Sequence, residues 1–339
     1  MERYRVLVLQ GGPSAEREIS LKSGNAVASA LLKIGHTVET IDPRDINLSA
    51  LNWKRWDVVF NALHGTFGED GQVQEILDHA GIPYTGSGMK ASQLAFDKRA
   101  AKQVFRSHSI PTPEYLAVGR KVHGDHCVFS LADRPEEIYA VVERMGFPVV
   151  VKPNAQGSSI GVRWVDEMCQ LIPAIEAALN YDKLVLIERA ILGSEWTVGF
   201  IDSRPLPAIQ VKSQRGWFDF EAKYEDDQTR YVFDHELPLT VQYNLYETAQ
   251  RACRALGTRG VARVDLRLDY ADEPWVLEVN TSPGMTDHSL VPKAAARLGM
   301  SYEDLCDLII RRAIAAVGTL EEEPDETWKV DLLGQEAMV

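Results

Sequence analysis

Four polar residues crowd one face of a hairpin near the C-terminus. Val261-Ala-Arg263-Val-Asp265-Leu-Arg-Leu-Asp-Tyr270 and Trp275-Val-Leu-Glu278-Val-Asn280 read as strands around the turn-forming Ala271-Asp-Glu-Pro274. A register centred on that turn sets Asp265 opposite Glu278 and Arg263 opposite Asn280. Alternation gathers these four on one face and sends Val264, Leu266, Trp275, Leu277 and Val279 to the other. Directly opposed carboxylates repel unless a cation or a shared proton compensates. Asp, Glu and an Asn carbonyl are the oxygen donors that hard Mg²⁺ takes, and Mg²⁺ commonly bridges to substrate phosphates. The first expectation is therefore an ATP-using enzyme. The alternative is a solvated sheet face on which Arg263 offsets the two acids.

A second stretch, Lys152-Pro-Asn-Ala-Gln156-Gly157-Ser158-Ser159-Ile-Gly161, ends a buried-type strand with a lysine and follows it with a Gly-Ser-Ser turn. A point charge, two hydroxyls and bare N–H groups suit phosphates. The Gly-Lys-Ser/Thr order of a P-loop is absent, and so is the GxGxxG dinucleotide fingerprint near Gly11 and Gly12. A plain hairpin turn would explain the glycines without the lysine and the paired serines. Upstream, Ser14-Ala-Glu16-Arg-Glu18 opens a helix, with Ser14 expected as the N-cap. Each acid there is either a first-turn dipole partner or, aimed outward, a holder of a substrate ammonium. His64-Gly65-Thr-Phe-Gly68-Glu69-Asp70-Gly71 follows a strand at the end where open α/β sheets bind ligands. His64 there contacts a substrate or helps a proton leave, or else is a hydrogen-bonded loop histidine. Glu188 and Glu195 flank a strand connection and could accept from an adenine amino group and ribose hydroxyls, or be surface glutamates. Trp217 to Thr229, with Lys223-Tyr224 and an acidic run, reads either as a loop that closes over a site or as an exposed irregular segment.

These stretches need positioning elements. The first hundred residues alternate strands (4 to 9, 37 to 41, 58 to 60) with helical patterns (15 to 34, 71 to 80), which is the grammar of a parallel sheet with crossover helices. One helix is expected from about 89 to 107, carrying Lys98 and Lys102 and stopped by Pro111 and Pro113. The pattern then changes to a small α+β unit with strand 148 to 152 and helices near 134 to 145 and 166 to 180. A third unit holds the hairpin and a final helix at 301 to 316. The expected division is 1–96, 97–186 and 187–318, with a solvated acidic tail at 319–339.

Size and composition fit this organisation. The chain has 339 residues, 45% of them hydrophobic, enough for two or three cores, and its net charge of −13 argues against a general nucleic-acid partner. The four cysteines (Cys127, Cys169, Cys253 and Cys306) show neither zinc nor disulfide spacing. No signal peptide and no apolar stretch of membrane-spanning length is evident, so a cytoplasmic location with no membrane partner is expected.

Taken together, the stretches resemble bacterial D-alanine:D-alanine ligases of the ATP-grasp fold. The resemblance rests on Ser14-Ala-Glu-Arg-Glu-Ile-Ser20, His64 to Gly71, Ile82-Pro-Tyr-Thr-Gly-Ser-Gly88, Lys152-Pro with Gly157-Ser-Ser-Ile-Gly161, Glu221-Ala-Lys-Tyr224, Arg263-Val-Asp265 and Glu278-Val-Asn-Thr-Ser-Pro-Gly-Met-Thr286. These occur in family order from residue 5 to about 316. The resemblance implies an N-terminal parallel α/β domain followed by central and C-terminal α+β domains that clasp ATP. It implies that ATP phosphorylates one D-alanine carboxylate and that the amine of a second D-alanine attacks the acylphosphate, in peptidoglycan precursor synthesis. Glu16 would bind the first ammonium, positioned by Ser158 and Tyr224, with His64 also at the substrate. Lys98, Lys152 and Lys223 would meet the phosphates together with Ser159. Glu188 and the backbone of Ala190 and Ile191 would meet adenine, and Glu195 the ribose. Asp265, Glu278 and Asn280 would hold two Mg²⁺, with Mn²⁺ as a substitute. Arg263 and the Gly284 N–H would form the oxyanion hole, and Ser289 and Leu290 would receive the second D-alanine. A homodimer is implied as well. Gln156, Phe218, Phe220 and the acidic tail depart from the family pattern, and Lys223-Tyr224 favours an amine over the D-lactate or D-serine nucleophile of related ligases.

Overall fold

A computed structural model describes residues 2–121, 128–212, 229–233 and 235–316; Cys127, Trp217 to Gln228 with Phe218, Phe220, Lys223 and Tyr224, and the acidic tail lie outside them. At the N-terminus, strand β1 (Arg5–Leu9) lies between β2 (Thr37–Ile41) and β3 (Val58–Asn61) in a parallel sheet of order β2-β1-β3. The run Val6 to Leu9 is buried on both faces, as a parallel strand covered by helices requires. Helices α1 (Arg17–Lys33) and α2 (Gln72–Ala80) supply that cover.

The single helix expected over 89 to 107 is two, α3 (Met89–Phe96) and α4 (Lys98–Ser107). Asp97 between them takes an extended conformation (φ −80°, ψ 98°), and its Oδ1 accepts from the Ala100 N–H at 2.9 Å. An aspartate that caps a new helix competes with continuation of the old one. The break makes Lys98 the first residue of α4.

The central unit is a five-stranded sheet. Its strands are β4 (Tyr115–Gly119), β5 (Phe129–Ser130), β6 (Val149–Pro153), β7 (Arg163–Val165) and β8 (Leu184–Arg189), in the order β5-β4-β8-β6-β7. Helices α5 (Pro135–Met145) and α6 (Met168–Ala178) close its core, which includes Val118, Ile138, Val151, Leu171, Ile175 and Ile187. Strand β8 stays in this sheet through Arg189, so the chain leaves the unit only after that residue.

The third sheet is antiparallel: β9 (Gly193–Ile201), β10 (Arg204–Pro205), β11 (Ile209–Lys212), β12 (Arg230–Val232), β13 (Val261–Asp269) and β14 (Pro274–Asn280). Its order is β12-β11-β9-β13-β14, with β10 on β9. Helix α7 (Leu239–Leu256), with α3 and α4, covers the face carrying Trp196, Val198, Phe200, Val264 and Leu266. Helices α8 (Leu290–Arg297) and α9 (Tyr302–Ala315) join a core shared with β1, β3 and α1.

The hairpin register agrees with the sequence at Arg263↔Asn280 and Asp265↔Glu278, and then slips, since Leu266 faces Val276. Leu277 is the extra residue of a β-bulge. The expected apolar face is corrected accordingly. Val264, Leu266, Val276 and Val279 are buried, whereas Leu277 turns into the cleft above the sheet and Trp275 is only partly covered, its Nε1 donating to Asp269. The Ser14 expectation is corrected too. Glu16 is the N-cap residue of α1, and the Ser14 hydroxyl instead donates to His64 O (2.6 Å) and accepts from the Glu16 N–H (3.2 Å).

Candidate active site

Two clefts meet at Glu278, which lines both. The first lies between the central sheet and the third sheet, walled by Lys98, Lys152, Ser159, Glu188, Ala190, Ile191, Glu195, Asp265, Arg267 and Leu277. Strand β6 delivers Lys152 and strand β8 delivers Glu188, paired across the central sheet with Val150 opposite Glu188. Lys152 Nζ lies 2.9 Å and Lys102 Nζ 3.1 Å from the same Glu188 Oε1. Lys102 also donates to Thr112 Oγ1 at 2.8 Å and is fully buried. Burial and the neighbouring Lys152 push the Lys102 ammonium down to about 8, against the pull of Glu188. Burial works to raise the Glu188 carboxyl, but the two lysines outweigh it and hold the group below its usual range. Lys98 Nζ donates to Gln156 O (2.6 Å) and lies 3.4 Å from Glu278 Oε2.

Asp265 is heavily bonded. Arg263 grips it in a bidentate pair (Nε to Oδ1 and Nη2 to Oδ2, both 2.8 Å), Thr197 Oγ1 donates to Oδ1 at 2.7 Å and Asn280 Nδ2 to Oδ2 at 3.2 Å. The local-counterion contact of Arg263 is thus present. Two facing carboxylates and an amide, flanked by Lys98 and Arg263, form a hard-oxygen set that fits Mg²⁺ or Mn²⁺ bound together with an anionic ligand. Among the described residues no group of three or more His, Cys, Asp or Glu side chains makes an alternative metal site.

The second cleft is lined by Glu16, His64, Glu69, Ser158, Arg263, Asn280, Gly284, Ser289 and Leu290, among others. Glu16 is 8% exposed and accepts a short hydrogen bond from the Ser158 hydroxyl, across 142 positions of sequence. Two glycines make room for it. A Cβ on Gly157 would lie 2.5 Å, and one on Gly65 2.6 Å, from Glu16 Oε2. Ser158 and Ser159 hold left-handed backbone angles (φ 51° and 56°), which serines rarely adopt outside shaped loops. Burial, then Glu69, pushes the Glu16 carboxyl upward, opposed by the Ser158 hydrogen bond. Burial pulls His64 down, but Glu69 and Glu16 outweigh it and its net shift is upward. Both His64 nitrogens are engaged, Nδ1 with Ser282 O and Nε2 with Ser23 Oγ, each at 3.1 Å. Because a carbonyl only accepts, Nδ1 carries a proton and the ring is held as a brace beside Glu16. A Cβ on Gly284 would lie 2.8 Å from Ser289 Oγ, and Ser289 occupies the N-cap position of α8, just before Leu290, while its hydroxyl accepts from the Thr286 N–H at 2.9 Å.

Comparison with known proteins decides the family. A family model described as D-ala D-ala ligase C-terminus matches residues 104–311, and one described as D-ala D-ala ligase N-terminus matches 43–87. The D-alanine--D-alanine ligase of Ectopseudomonas mendocina (strain ymp) is 43% identical over 93% of this chain and 96% of its own length. The chain belongs to the D-alanine--D-alanine ligase family. Another family member, D-alanine--D-alanine ligase B of Chromobacterium violaceum, is 42% identical over 90% of this chain and 97% of its own. Among solved structures, the D-alanine--D-alanine ligase from Bacillus anthracis complexed with ATP superposes with a TM-score of 0.77 at 32% identity, covering 93% of this chain and 98% of that one. The ATP-grasp architecture is thereby shown. The C-terminal family match contains Lys152, Ser158, Glu188, Arg263, Asp265 and Glu278, and the N-terminal match contains His64.

Every site residue expected from the sequence and lying among the described residues borders one of the two clefts. Lys223 and Tyr224 lie outside the described residues. Sequence reading missed Thr197, Glu69 and Arg267, and it named Lys102 without a role. Arg267 had a signal, since it stands two residues after Asp265 on the same strand face, and Lys102 stands one helical turn after Lys98.

Proposed function

We propose that this chain joins two D-alanines with ATP, and that the junction of its two clefts at Glu278 is where phosphoryl transfer occurs. That shared wall is the observation that carries the reading, because it lets a γ-phosphate from the lysine-lined cleft reach a carboxylate held in the Glu16 cleft. ATP fills the first cleft, with adenine toward Ala190 and Ile191, ribose toward Glu195 and phosphates toward Lys98, Lys152 and Ser159. Glu16 takes the ammonium of the first D-alanine, leaving its carboxylate toward Glu278. That carboxylate oxygen bonds to the γ-phosphorus as the bond to ADP breaks. The amine of the second D-alanine then attacks the acyl carbon, and inorganic phosphate leaves from the tetrahedral intermediate. Arg263 and Gly284 line the cleft where the oxyanion develops, the Gly284 N–H would join the guanidinium as a donor, and an arginine has donors beyond the two that Asp265 uses. The N-terminus of α8 at Ser289 and Leu290 suits the carboxylate of the second D-alanine.

Asp265, Glu278 and Asn280 would hold Mg²⁺ or Mn²⁺, which when bound screens the charge of the transferring phosphate. Lys223 and Tyr224 close this assignment from the segment outside the described residues. The described helices include none long and apolar enough to cross a membrane. A cytoplasmic homodimer acting in peptidoglycan precursor synthesis completes the proposal, and sedimentation velocity tests the assembly.

The deciding experiment is phosphate release from ATP and Mg²⁺ with D-alanine, L-alanine serving as control, followed by product analysis with D-lactate in competition. D-alanyl-D-alanine is expected. Turnover with L-alanine, or preferential ester formation, would overturn the reading. Glu16→Gln should raise the KM for D-alanine far more than the KM for ATP.

A further inference from the structure

Arg267 has no part in the roles assigned above, yet it occupies the nucleotide cleft. It sits two residues after Asp265 on β13 and directly opposite Glu195 of β9 in the antiparallel register. Its Nη1 lies 3.0 Å from Glu195 Oε2, and its Nη2 donates to Gly193 O at 2.8 Å. The residue is 8% exposed and shares the cleft wall with Glu195, Asp265 and Glu278. A guanidinium is costly to bury, and Arg267 Nε has no hydrogen-bond partner among the described residues. An apolar side chain of similar length would pack this strand at lower cost, so stability alone does not explain the charge. What the charge does accomplish is orientation. It holds a flexible glutamate by one carboxylate edge, and it ties the entry of β9 to the third sheet, immediately after the backbone at Ala190 and Ile191.

We propose that Arg267 is a positioning residue for the nucleotide ribose, acting through Glu195. The inference rests on the proposed reading of Glu195 as the ribose contact. A glutamate fixed before binding loses less freedom when the ribose hydroxyls arrive. Preordering one such side chain is worth about twofold to tenfold in apparent affinity. The effect falls on the KM for ATP and not on kcat, because the ribose is remote from the reacting phosphorus.

The test compares the KM for ATP with the KM for 2′,3′-dideoxy-ATP in the full-length wild type, Arg267→Met, Arg267→Lys, Glu195→Gln and the Met/Gln double variant. The ratio of the two KM values is internal to each preparation, so partial unfolding of one variant does not move it. Arg267→Met should lose most of the preference for the hydroxylated nucleotide while kcat stays within about twofold. The double variant should add nothing to Glu195→Gln, and Arg267→Lys should restore part of the preference. If Glu195→Gln removes the preference and Arg267→Met retains it, or raises both KM values equally, the positioning role is overturned. If Glu195→Gln itself leaves the preference intact, the ribose reading of Glu195 fails, and this inference with it.

Discussion

Ser158 and Glu16 show how a single hydrogen bond sets the chemistry of a buried acid. In the role proposed for it, Glu16 must be ionised to hold an ammonium, yet burial and Glu69 push its carboxyl upward, and the Ser158 hydroxyl is the main group opposing them. A group with a raised pKa loses its charge as pH falls through that value. Ser158→Ala should therefore move the acid limb of kcat/KM for D-alanine toward neutral pH and lower its plateau by about tenfold to a hundredfold, the usual worth of a hydrogen bond to a charged partner. An unmoved acid limb in pH-rate profiles would contradict this. Lys102 offers the opposite sign. Its folded value of about 8 lies below the ordinary lysine value of about 10.4. Between those limits the unfolded chain binds a proton that the folded chain has released, so this group makes stability rise with pH across that window. In urea titrations, the stability of the wild type relative to Lys102→Met should therefore increase from pH 8 to pH 10. A constant or shrinking gap would show that Lys102 keeps its proton in the folded state.

At the scale of elements, two departures from regularity place the nucleotide-cleft residues. Asp97 ends α3, starts α4 and puts Lys98 at the first helical position, within 3.4 Å of Glu278. Asp97→Ala should cost about 1 kcal/mol of stability through the lost cap. It should also raise the KM for ATP by loosening Lys98, whereas Asp97→Asn should retain both properties. Differential scanning calorimetry and steady-state kinetics check the pair, and an Ala variant with normal KM would separate the cap from the site. Neither irregularity was legible in the sequence. The pattern from Met89 to Ser107 carries good helix formers on both sides of Asp97, so only the three-dimensional cap shows the break. The register of the hairpin was legible, because Asp265 and Glu278 lie symmetrically about a turn-rich stretch, but strict alternation has no place for an extra residue such as Leu277. The charged cleft was legible piece by piece, through Lys152 and the paired serines. The convergence of Lys102 and Lys152 on one oxygen of Glu188 was not, since those residues are brought together only by β6, β8 and α4.

The whole molecule divides unevenly around its site. The central sheet closes a core of its own with α5 and α6, whereas the N-terminal sheet shares one core with α8 and α9 from the far end of the chain. Polar ties reinforce that shared core: His36 Nε2 lies 2.9 Å from Asp307 Oδ1, and Lys33 Nζ lies 2.6 Å from Glu303 Oε1. Because Glu16 is the N-cap residue of α1, the element that aims the acid proposed to bind the ammonium is anchored by residues about three hundred positions later. Leu305 is fully buried in this shared core. Its truncation to alanine leaves a cavity worth about 2–5 kcal/mol. That loss should fall on the N-terminal sheet and α9 together, because neither can keep its apolar face covered without the other. In hydrogen exchange of Leu305→Ala, protection at residues 5–9 and 305–313 should drop in parallel, while residues 149–153 and 184–189 of the central sheet retain theirs. Equal loss in all four segments would mean that the three sheets unfold as one unit, and that the lysine-bearing central unit has no independence with which to close over ATP.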